Sequence, residues 1–148
     1  MNIFVTLGTT PFPELLAEVN KLQNQTADNF VIQSVSGDLT RFNESFSYTN
    51  DIQYWYQWAD IIITHAGAGS TYNLLELNKK LVLVPNTFRK DKHQLELAKY
   101  IESKNYAVVC YQLIKLQQCI TKVKDYSIKK YQKVQFSGIE DIKALFQI

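Results

Sequence analysis

The run Ile61-Ile62-Ile63-Thr64, followed at once by His65-Ala66-Gly67-Ala68-Gly69-Ser70-Thr71, carries the strongest fold signal in this chain. Its β-branched residues predict a buried parallel strand, and leucines at helical spacing predict a helix over residues 71–78. Such a strand–turn–helix passage points backbone N–H groups and the helix dipole at one place, where a phosphate can bind. The glycines would let an anion approach, and Ser70 could cap the helix or donate to an oxyanion. The motif alone also fits an ordinary tight turn.

Composition indicates one folded domain. The chain has 148 residues, of which 46% are hydrophobic and 20% charged, and its net charge of +2 gives no indication of nucleic-acid binding. Cys110 and Cys119 lack metal-ligand spacing, so we expect a reduced pair, no disulfide and no bound metal or cofactor. We expect no signal peptide, because the first residues lack a basic flank, and no span of the bilayer, because no apolar stretch approaches the roughly 20 residues required. We therefore expect a cytoplasmic chain whose membrane association is peripheral.

Strands and helices alternate along the sequence. Strands are predicted at residues 3–7, 30–35, 60–64, 81–85 and 107–109, with a possible short one at 47–48. Helices are predicted at 13–22, 52–59, 71–78 and 91–103, and a loop at 39–46. This order predicts an α/β fold, a Rossmann-like doubly wound parallel sheet with right-handed crossovers. Ligands bind such sheets beyond the carboxyl ends of the strands, where the turns at Gly8, Gly37, Gly67 and Asn86 would meet.

The last third of the chain is basic and then amphipathic. Residues 115–133 contain six lysines and a single acid, Asp125. They fit either a solvated helix face or a surface near an anionic membrane, where each lysine contributes about 1 kcal/mol. Apolar residues at helical spacing predict a short helix over 139–148. That helix would either complete the core or dock on another protein.

A second polar motif follows the strand predicted at 81–85. Asn86 comes directly after it, and Asp91 is suited to cap the helix whose first turn holds His93 and Gln94. Imidazole and amide groups at this edge suit the hydroxyls of a sugar. The same residues also fit a simple capping arrangement with an exposed histidine.

Together the two motifs resemble the C-terminal, nucleotide-sugar-binding half of family 28 glycosyltransferases of the GT-B type. The likeness is to small split members: the catalytic subunit of the dolichol-linked N-acetylglucosaminyltransferase and related bacterial capsule and exopolysaccharide subunits. It spans most of positions 3–110. The matching residues are Val5-Thr6-Leu7-Gly8-Thr9-Thr10, Ile32-Gln33, Ala59-Asp60-Ile61-Ile62-Ile63-Thr64-His65-Ala66-Gly67-Ala68-Gly69-Ser70, Leu83-Val84-Pro85-Asn86 and His93-Gln94-Leu95-Glu96-Leu97-Ala98.

The resemblance implies a single nucleotide-sugar-binding domain over residues 1–148 and an inverting transfer from a UDP-sugar to a lipid-linked acceptor. It also implies a membrane-anchored, acceptor-binding partner subunit that supplies the general base and docks on the helix at 139–148. A homodimer would bury that helix equally well. With no metal ligands in the motifs, backbone N–H groups would have to meet the charge of the leaving diphosphate.

The resemblance assigns roles to particular residues. The diphosphate would be bound by Gly8, Thr9, Thr10, Gly67, Ala68, Gly69, Ser70 and Thr71. The donor ribose and sugar would be bound by Asn73, Glu76, Asn86, His93 and Gln94. We favour a structural or phosphate-adjacent role for His65 over that of catalytic base.

Some positions depart from the family pattern. Asn73 stands where relatives usually have a ribose-binding Glu, and Glu76, one helical turn later, could substitute for it. Lys92 replaces a common Asn, and Asn78-Lys79-Lys80 replaces a usual Gly-Lys-Pro turn. These departures leave three hypotheses: a catalytic subunit, a non-catalytic accessory subunit of such a complex, and an unrelated nucleotide-binding α/β protein.

Overall fold

The computed structural model describes residues 1–88, 90 and 92–133 as an α/β fold. Its strands are β1 (Asn2–Thr6), β2 (Asn29–Gln33), β3 (Ser45–Phe46), β4 (Ile61–His65), β5 (Lys80–Val84) and β6 (Val108–Val109). Its helices are α1 (Pro13–Gln25), α2 (Ile52–Trp58), α3 (Ala68–Glu76), α4 (His93–Ser103) and α5 (Leu116–Asp125). Short 3₁₀ turns cover Leu39–Arg41 and Leu113–Lys115.

The strands form one parallel sheet in the order β3-β2-β1-β4-β5-β6. The chain moves outward in one direction from β1 through β2 to β3, and in the other from β4 through β5 to β6. The order therefore reverses between β1 and β4, where Ile3 lies opposite Ile61 and Thr6 opposite Thr64. In doubly wound folds the ligand crevice opens at this switch point. The predicted Rossmann-like doubly wound sheet is confirmed.

The strand Ile61–His65 is apolar without interruption because both of its faces are buried. Ile61 and Ile63 pack into a cluster with α1 and α5, whereas Ile62 packs into a cluster with α2, α3 and α4. All three side chains are at most 1% exposed. Helices thus cover both sides of the sheet, as a parallel sheet requires.

Three element predictions were wrong in detail. The loop predicted at 39–46 contains a 3₁₀ turn and β3, which pairs through only two residues at the sheet edge and leaves no readable period. The helix expected from residue 71 begins at Ala68, because the glycine segment itself adopts helical geometry. The basic segment is helical only to Asp125, so three of its lysines lie beyond α5.

Two further predictions fall outside the described residues: the cap at Asp91 and the helix at 139–148. Within the described part, none of the helices combines the length and apolar character needed to cross a bilayer.

Candidate functional site

The β1–α1 loop turns sharply at Gly8, directly after the strand at the switch point. Gly8 has a φ of +54°, a conformation that costs any residue with a Cβ about 1 kcal/mol. The turn is closed by Thr10 N–H donating to the Leu7 carbonyl at 3.0 Å. Thr9 is exposed and Thr10 half-buried, so their hydroxyls lie at the carboxyl edge of the sheet.

Gln33, the last residue of β2, holds the β1–α1 loop in place through hydrogen bonds of its side chain. Its Oε1 accepts from Thr6 Oγ1 at 2.8 Å and from Gly8 N–H at 2.9 Å. Its Nε2 donates to the Ser47 carbonyl at 3.0 Å. We did not predict this role for Gln33. The sequence feature that could have indicated it is a polar residue at the end of an apolar strand.

Thr64 makes the matching link between β1 and β4. Its buried Oγ1 donates to the Thr6 carbonyl oxygen at 2.8 Å. The carboxyl ends of the two strands are therefore tied together just below the glycine turns that follow each of them.

Helix α3 starts immediately after β4. Its first helical hydrogen bond runs from Thr71 N–H to the Gly67 carbonyl at 3.0 Å. The N–H groups of Ala68, Gly69 and Ser70 precede it and have no carbonyl partner within the helix. These three residues are exposed, so their N–H groups and the positive end of the helix dipole lie at the sheet edge.

The structure changes the roles of two residues in this turn. Ser70 is not the cap: Gly67 occupies that position, with no side-chain capping bond, and Ser70 lies within α3. Thr71 is fully buried, its amide is bonded to Gly67, and its Oγ1 has no hydrogen-bond partner among the described residues. Thr71 therefore supports the turn from beneath and does not face its surface.

The two glycines serve different purposes. A Cβ on Gly67 would overlap the ring of His65, which is 7% exposed and packs against the turn. A Cβ on Gly69 would meet nothing within 4 Å. Gly67 is thus needed for packing, and Gly69 leaves open space over the helix N-terminus. A structural or phosphate-adjacent role for His65 stays a prediction.

Asn86 joins the β5–α4 loop to its neighbours. It is only 5% exposed, and its N–H donates to Gln94 Oε1 at 3.0 Å. Its Nδ2 donates to the Pro11 carbonyl at 3.3 Å, and its Oδ1 accepts from Phe88 N–H at 3.2 Å. Asn86 therefore positions the β1–α1 loop, its own loop and the first turn of α4 together.

The remaining predicted sugar-binding residues lie at different distances from this edge. The His93 side chain is 88% exposed in the first turn of α4, with its Nδ1 3.7 Å from Glu96 Oε2. Asn73 is exposed midway along α3. Glu76 ends α3, about 12 Å along the helix from Ala68, and its carboxylate lies 3.4 Å from Lys133 Nζ.

A small cavity of about 130 Å³ lies elsewhere, at the carboxyl end of α3. Its lining includes Leu75, Lys79, Tyr106 and Tyr131. The candidate site does not coincide with it: the sheet edge gathers Gly8, the start of α3, Asn86 and Gln94 around the switch point.

Comparison with known proteins agrees with this geometry. The model of the glycosyltransferase family 28 C-terminal domain matches residues 2–144. The human UDP-N-acetylglucosamine transferase subunit ALG13 is 34% identical over 122 residues, covering 73% of this chain and 11% of that protein. A Leptospira interrogans protein is 30% identical over 77 residues, covering 52% of this chain and 22% of its own length. It is named UDP-N-acetylglucosamine–N-acetylmuramyl-(pentapeptide) pyrophosphoryl-undecaprenol N-acetylglucosamine transferase.

A solved structure shows the same fold. The solution structure of ALG13 has a TM-score of 0.60 and 20% identity, covering 97% of this chain and 94% of that one. The chain spans only about a tenth of the length of the human relative. The family match extends over nearly the whole sequence, and the predicted glycosyltransferase resemblance is confirmed. This chain belongs to the glycosyltransferase family 28 C-terminal domain family.

Proposed function

We propose that this chain is the donor-binding catalytic subunit of a two-component inverting glycosyltransferase. It would move a sugar from a UDP-sugar to a lipid-linked acceptor in glycan or polysaccharide assembly. One observation carries the proposal: α3 begins at the topological switch point with three exposed N–H groups unbonded within the helix, beside the Gly8 turn. Backbone donors fixed in this way suit a diphosphate, whose negative charge grows as the sugar departs.

The chemistry assigned to this edge is charge stabilisation. In the transition state the sugar resembles an oxocarbenium ion while charge builds on the leaving diphosphate. The N–H groups of Ala68, Gly69 and Ser70 would accelerate transfer only by binding the developing charge better than the bound donor. Gly8, Thr9 and Thr10 would line the same group from β1. We assign no metal to this role, because the sequence motifs contain no set of metal ligands.

The donor sugar would lie towards α4. Gln94 uses Oε1 to hold Asn86, which leaves its Nε2 as the donor assigned to a sugar hydroxyl. His93 is exposed beside it, and Asn73 projects from α3 as the residue assigned to the ribose. Glu76 is a weaker assignment because it ends α3 beside Lys133.

The names of the relatives support the substrate classes. The human relative is named for UDP-N-acetylglucosamine, and the name of the Leptospira protein places its acceptor on pyrophosphoryl-undecaprenol, a lipid. We extend both classes to this chain, with a UDP-sugar as donor and a lipid-linked sugar as acceptor. A setting in capsule or exopolysaccharide synthesis stays an expectation from the resemblance alone.

A partner subunit completes the proposal. The family domain is a C-terminal half, and the human relative is itself named a subunit. We propose that a membrane-anchored partner binds the acceptor, supplies the general base and holds this chain at the cytoplasmic face. The helix predicted at 139–148 is the proposed docking element. A homodimer is the competing assembly, which light scattering of the chain with and without the partner would distinguish.

Substitution of Gly69 tests the diphosphate site. A side chain there enters open space, so Gly69→Asp and Gly69→Asn should both fold, and the Asp carboxylate favours a helix N-terminus. The same carboxylate would repel a diphosphate. We expect Gly69→Asp to weaken UDP binding at least tenfold, about 1.4 kcal/mol, relative to Gly69→Asn in calorimetric titrations. Equal affinities for the two variants would refute the site.

Two further titrations test the class of ligand and the absence of a metal requirement. UDP binding should be unchanged by EDTA, because the proposed donors are backbone groups. Binding of NAD or ATP in place of UDP would support the general nucleotide-binding alternative and would contradict the assigned transfer.

The second candidate function is a non-catalytic accessory subunit, favoured by the neutral Asn73 at the ribose position. Transfer assays on the complex with its partner separate the two functions. The catalytic role requires Gly69→Asp to lose activity while the complex still assembles. Unchanged transfer in an intact complex would assign the accessory role.

A further inference from the structure

Cys110 and Cys119 meet on one side of the sheet. Cys110 directly follows β6, is 1% exposed, and donates its N–H to the Leu83 carbonyl at 2.8 Å. Cys119 is half-buried in α5, with its Sγ 3.9 Å from the Val109 carbonyl oxygen. Both are free thiols, and Cys119 packs against the hydrophobic cluster that contains Cys110. Since Cys119 Sγ also reaches the carbonyl of the residue before Cys110, the fold places the two thiols in one region.

The surroundings of Cys119 favour its thiolate. A hydrogen bond from Cys110 lowers the pKa of Cys119 to about 7, and the charges of Lys122 and Lys115 act in the same direction. Burial and the carboxylate of Glu102, from α4, oppose this shift. Cys119 is also the fourth residue of α5, near the positive end of the helix dipole.

Cys110 has the opposite character. Its hydrogen bond to Cys119 and its burial raise the pKa of the Cys110 thiol, and Glu18 from α1 adds to the rise. The Gln112 carbonyl oxygen lies 3.1 Å from the Cys110 Sγ. The pair therefore contains a partly exposed thiol with a lowered pKa, Cys119, and a buried thiol with a raised pKa, Cys110.

We infer that Cys119 and Cys110 form a peroxide-responsive thiol pair, in which Cys119 is oxidised first and Cys110 then closes a disulfide between α5 and β6. This modification site is independent of the donor site. Cys119 is partly exposed and is influenced by the charges of Lys122 and Lys115, whereas Cys110 is 1% exposed.

The chemistry takes two steps with hydrogen peroxide as oxidant. The Cys119 thiolate attacks one peroxide oxygen, the O–O bond breaks, hydroxide leaves, and Cys119 becomes a sulfenic acid. The Cys110 sulfur then attacks the Cys119 sulfur, the S–O bond breaks, and water leaves with the proton of Cys110. The net change is the loss of two hydrogens from the protein and the reduction of peroxide to water.

The reduced full chain should be titrated with hydrogen peroxide at pH 7 and analysed by mass spectrometry without reductant. We expect a loss of about 2 Da, a cross-link between the peptides that carry the two cysteines, and reversal by dithiothreitol. Cys110→Ala should stop at a sulfenic acid that dimedone captures. Cys119→Ala should resist the same peroxide dose. Oxidation of Cys119→Ala at the rate of the parent chain would overturn the inference.

The unsubstituted chain provides a test that does not depend on any variant folding. Alkylation by iodoacetamide should modify Cys119 with a pH midpoint near 7 and leave Cys110 protected. Lys122→Gln should slow alkylation at pH 7 roughly threefold, whereas Lys124→Gln, on the same helix, should not. A midpoint near that of an ordinary thiol, or equal alkylation of both cysteines, would contradict the assignment.

Discussion

At the scale of single residues, the carboxyl edge is organised by buried amides. Gln33 and Asn86 are 7% and 5% exposed, and each bonds backbone groups of a neighbouring loop with its side chain. A buried amide that satisfies several backbone groups costs more to remove than it contributes when formed, because its partners are left without hydrogen bonds. The arrangement of the site therefore depends on residues that hold its loops in place.

Gln33→Met should destabilise the fold and loosen the Gly8 turn. The thioether keeps the length of the side chain but leaves Gly8 N–H and Thr6 Oγ1 without an acceptor. We expect a loss of about 2–4 kcal/mol in the free energy of unfolding, measured in urea, and weaker UDP binding.

Gln23→Met is the matched control for Gln33→Met. Gln23 is also a buried amide, but it fastens Arg41 and Asn43, which follow β2 at a distance from the Gly8 turn. It should cost stability without changing UDP affinity. Equal losses of affinity in both variants would show that Gln33 acts only through global stability.

The role of a residue could be predicted where its partners are near in sequence, and it was missed where the partners are distant. The glycine turn after Ile61–His65 was predicted from sequence and lies at the switch point. The hydrogen-bond partners of Gln33 and Asn86 could not be predicted, because they are distant in sequence: Asn86 bonds Pro11 across 75 positions. Sequence separates a ligand-binding amide from a loop-fastening amide only when the fold is known.

At the scale of elements, α2 shows how a short helix is held in place. It spans Ile52–Trp58, too short to persist alone, and Trp55 packs its ring 6.0 Å from Phe4 and 5.3 Å from Phe46. Asp51 caps its N-terminus, with Oδ1 accepting from Tyr54 N–H at 3.0 Å. Packing and capping together compensate for the helix's length.

Asp51→Ala should remove the cap of α2 and reduce the free energy of unfolding by about 1 kcal/mol. Asp51→Asn keeps an oxygen acceptor and should remain within about 0.5 kcal/mol of the parent chain. Chemical denaturation of the three proteins measures the difference. A loss in Asp51→Asn as large as in Asp51→Ala would show that the carboxylate charge, not capping, supports the helix.

The strands of five residues were predicted more accurately than the strand of two residues. The β-branched runs of β1, β2, β4 and β5 are five residues each and were found within one or two residues at most boundaries. β3, with two residues, was predicted two residues too late, at 47–48, because no period can develop over that length. The start of α3 was missed because glycine is a poor helix former, yet here the helix begins over it.

At the scale of the whole molecule, residues 126–133 pack through Tyr131 against the hydrophobic cluster that contains α2, α3 and α4. Lys129 N–H donates to the Asn105 carbonyl at 2.8 Å, and the ring of Tyr131 lies 5.7 Å from Tyr72 and 5.3 Å from Tyr106. This segment, which follows α5, therefore fastens α3 to the turn before β6. A solvated helix face was one interpretation of the basic stretch, and the stretch is helical only to Asp125.

Tyr131→Ala should detach this segment and lower the free energy of unfolding by about 1–2 kcal/mol, since two aromatic contacts are lost. Tyr131→Phe keeps the ring and should change stability by less than about 0.5 kcal/mol. Thermal denaturation of both variants provides the comparison. An equal decrease in melting temperature would show that the hydroxyl, not the ring, holds the segment.

The alternation of strands and helices predicted a parallel, doubly wound sheet, and the structure has one. The order of its strands was not predicted. The alternation could not indicate where the chain lies after α5, because residues 126–133 have no helical or strand period. Their position depends on aromatic contacts made across the fold.

Asn86 binds Pro11 with one end of its amide while its backbone is held by Gln94. A sugar hydroxyl that displaced the Gln94 side chain would break its hydrogen bond with the Asn86 N–H. The link from Asn86 to Pro11 in the β1–α1 loop would then weaken. Under the proposed function, binding of the diphosphate and selection of the sugar would therefore be coupled through Gln94 and Asn86. Exchanging α4 residues to change the preferred sugar would also disturb how firmly the nucleotide is held, and altered specificity would require compensating changes across both loops.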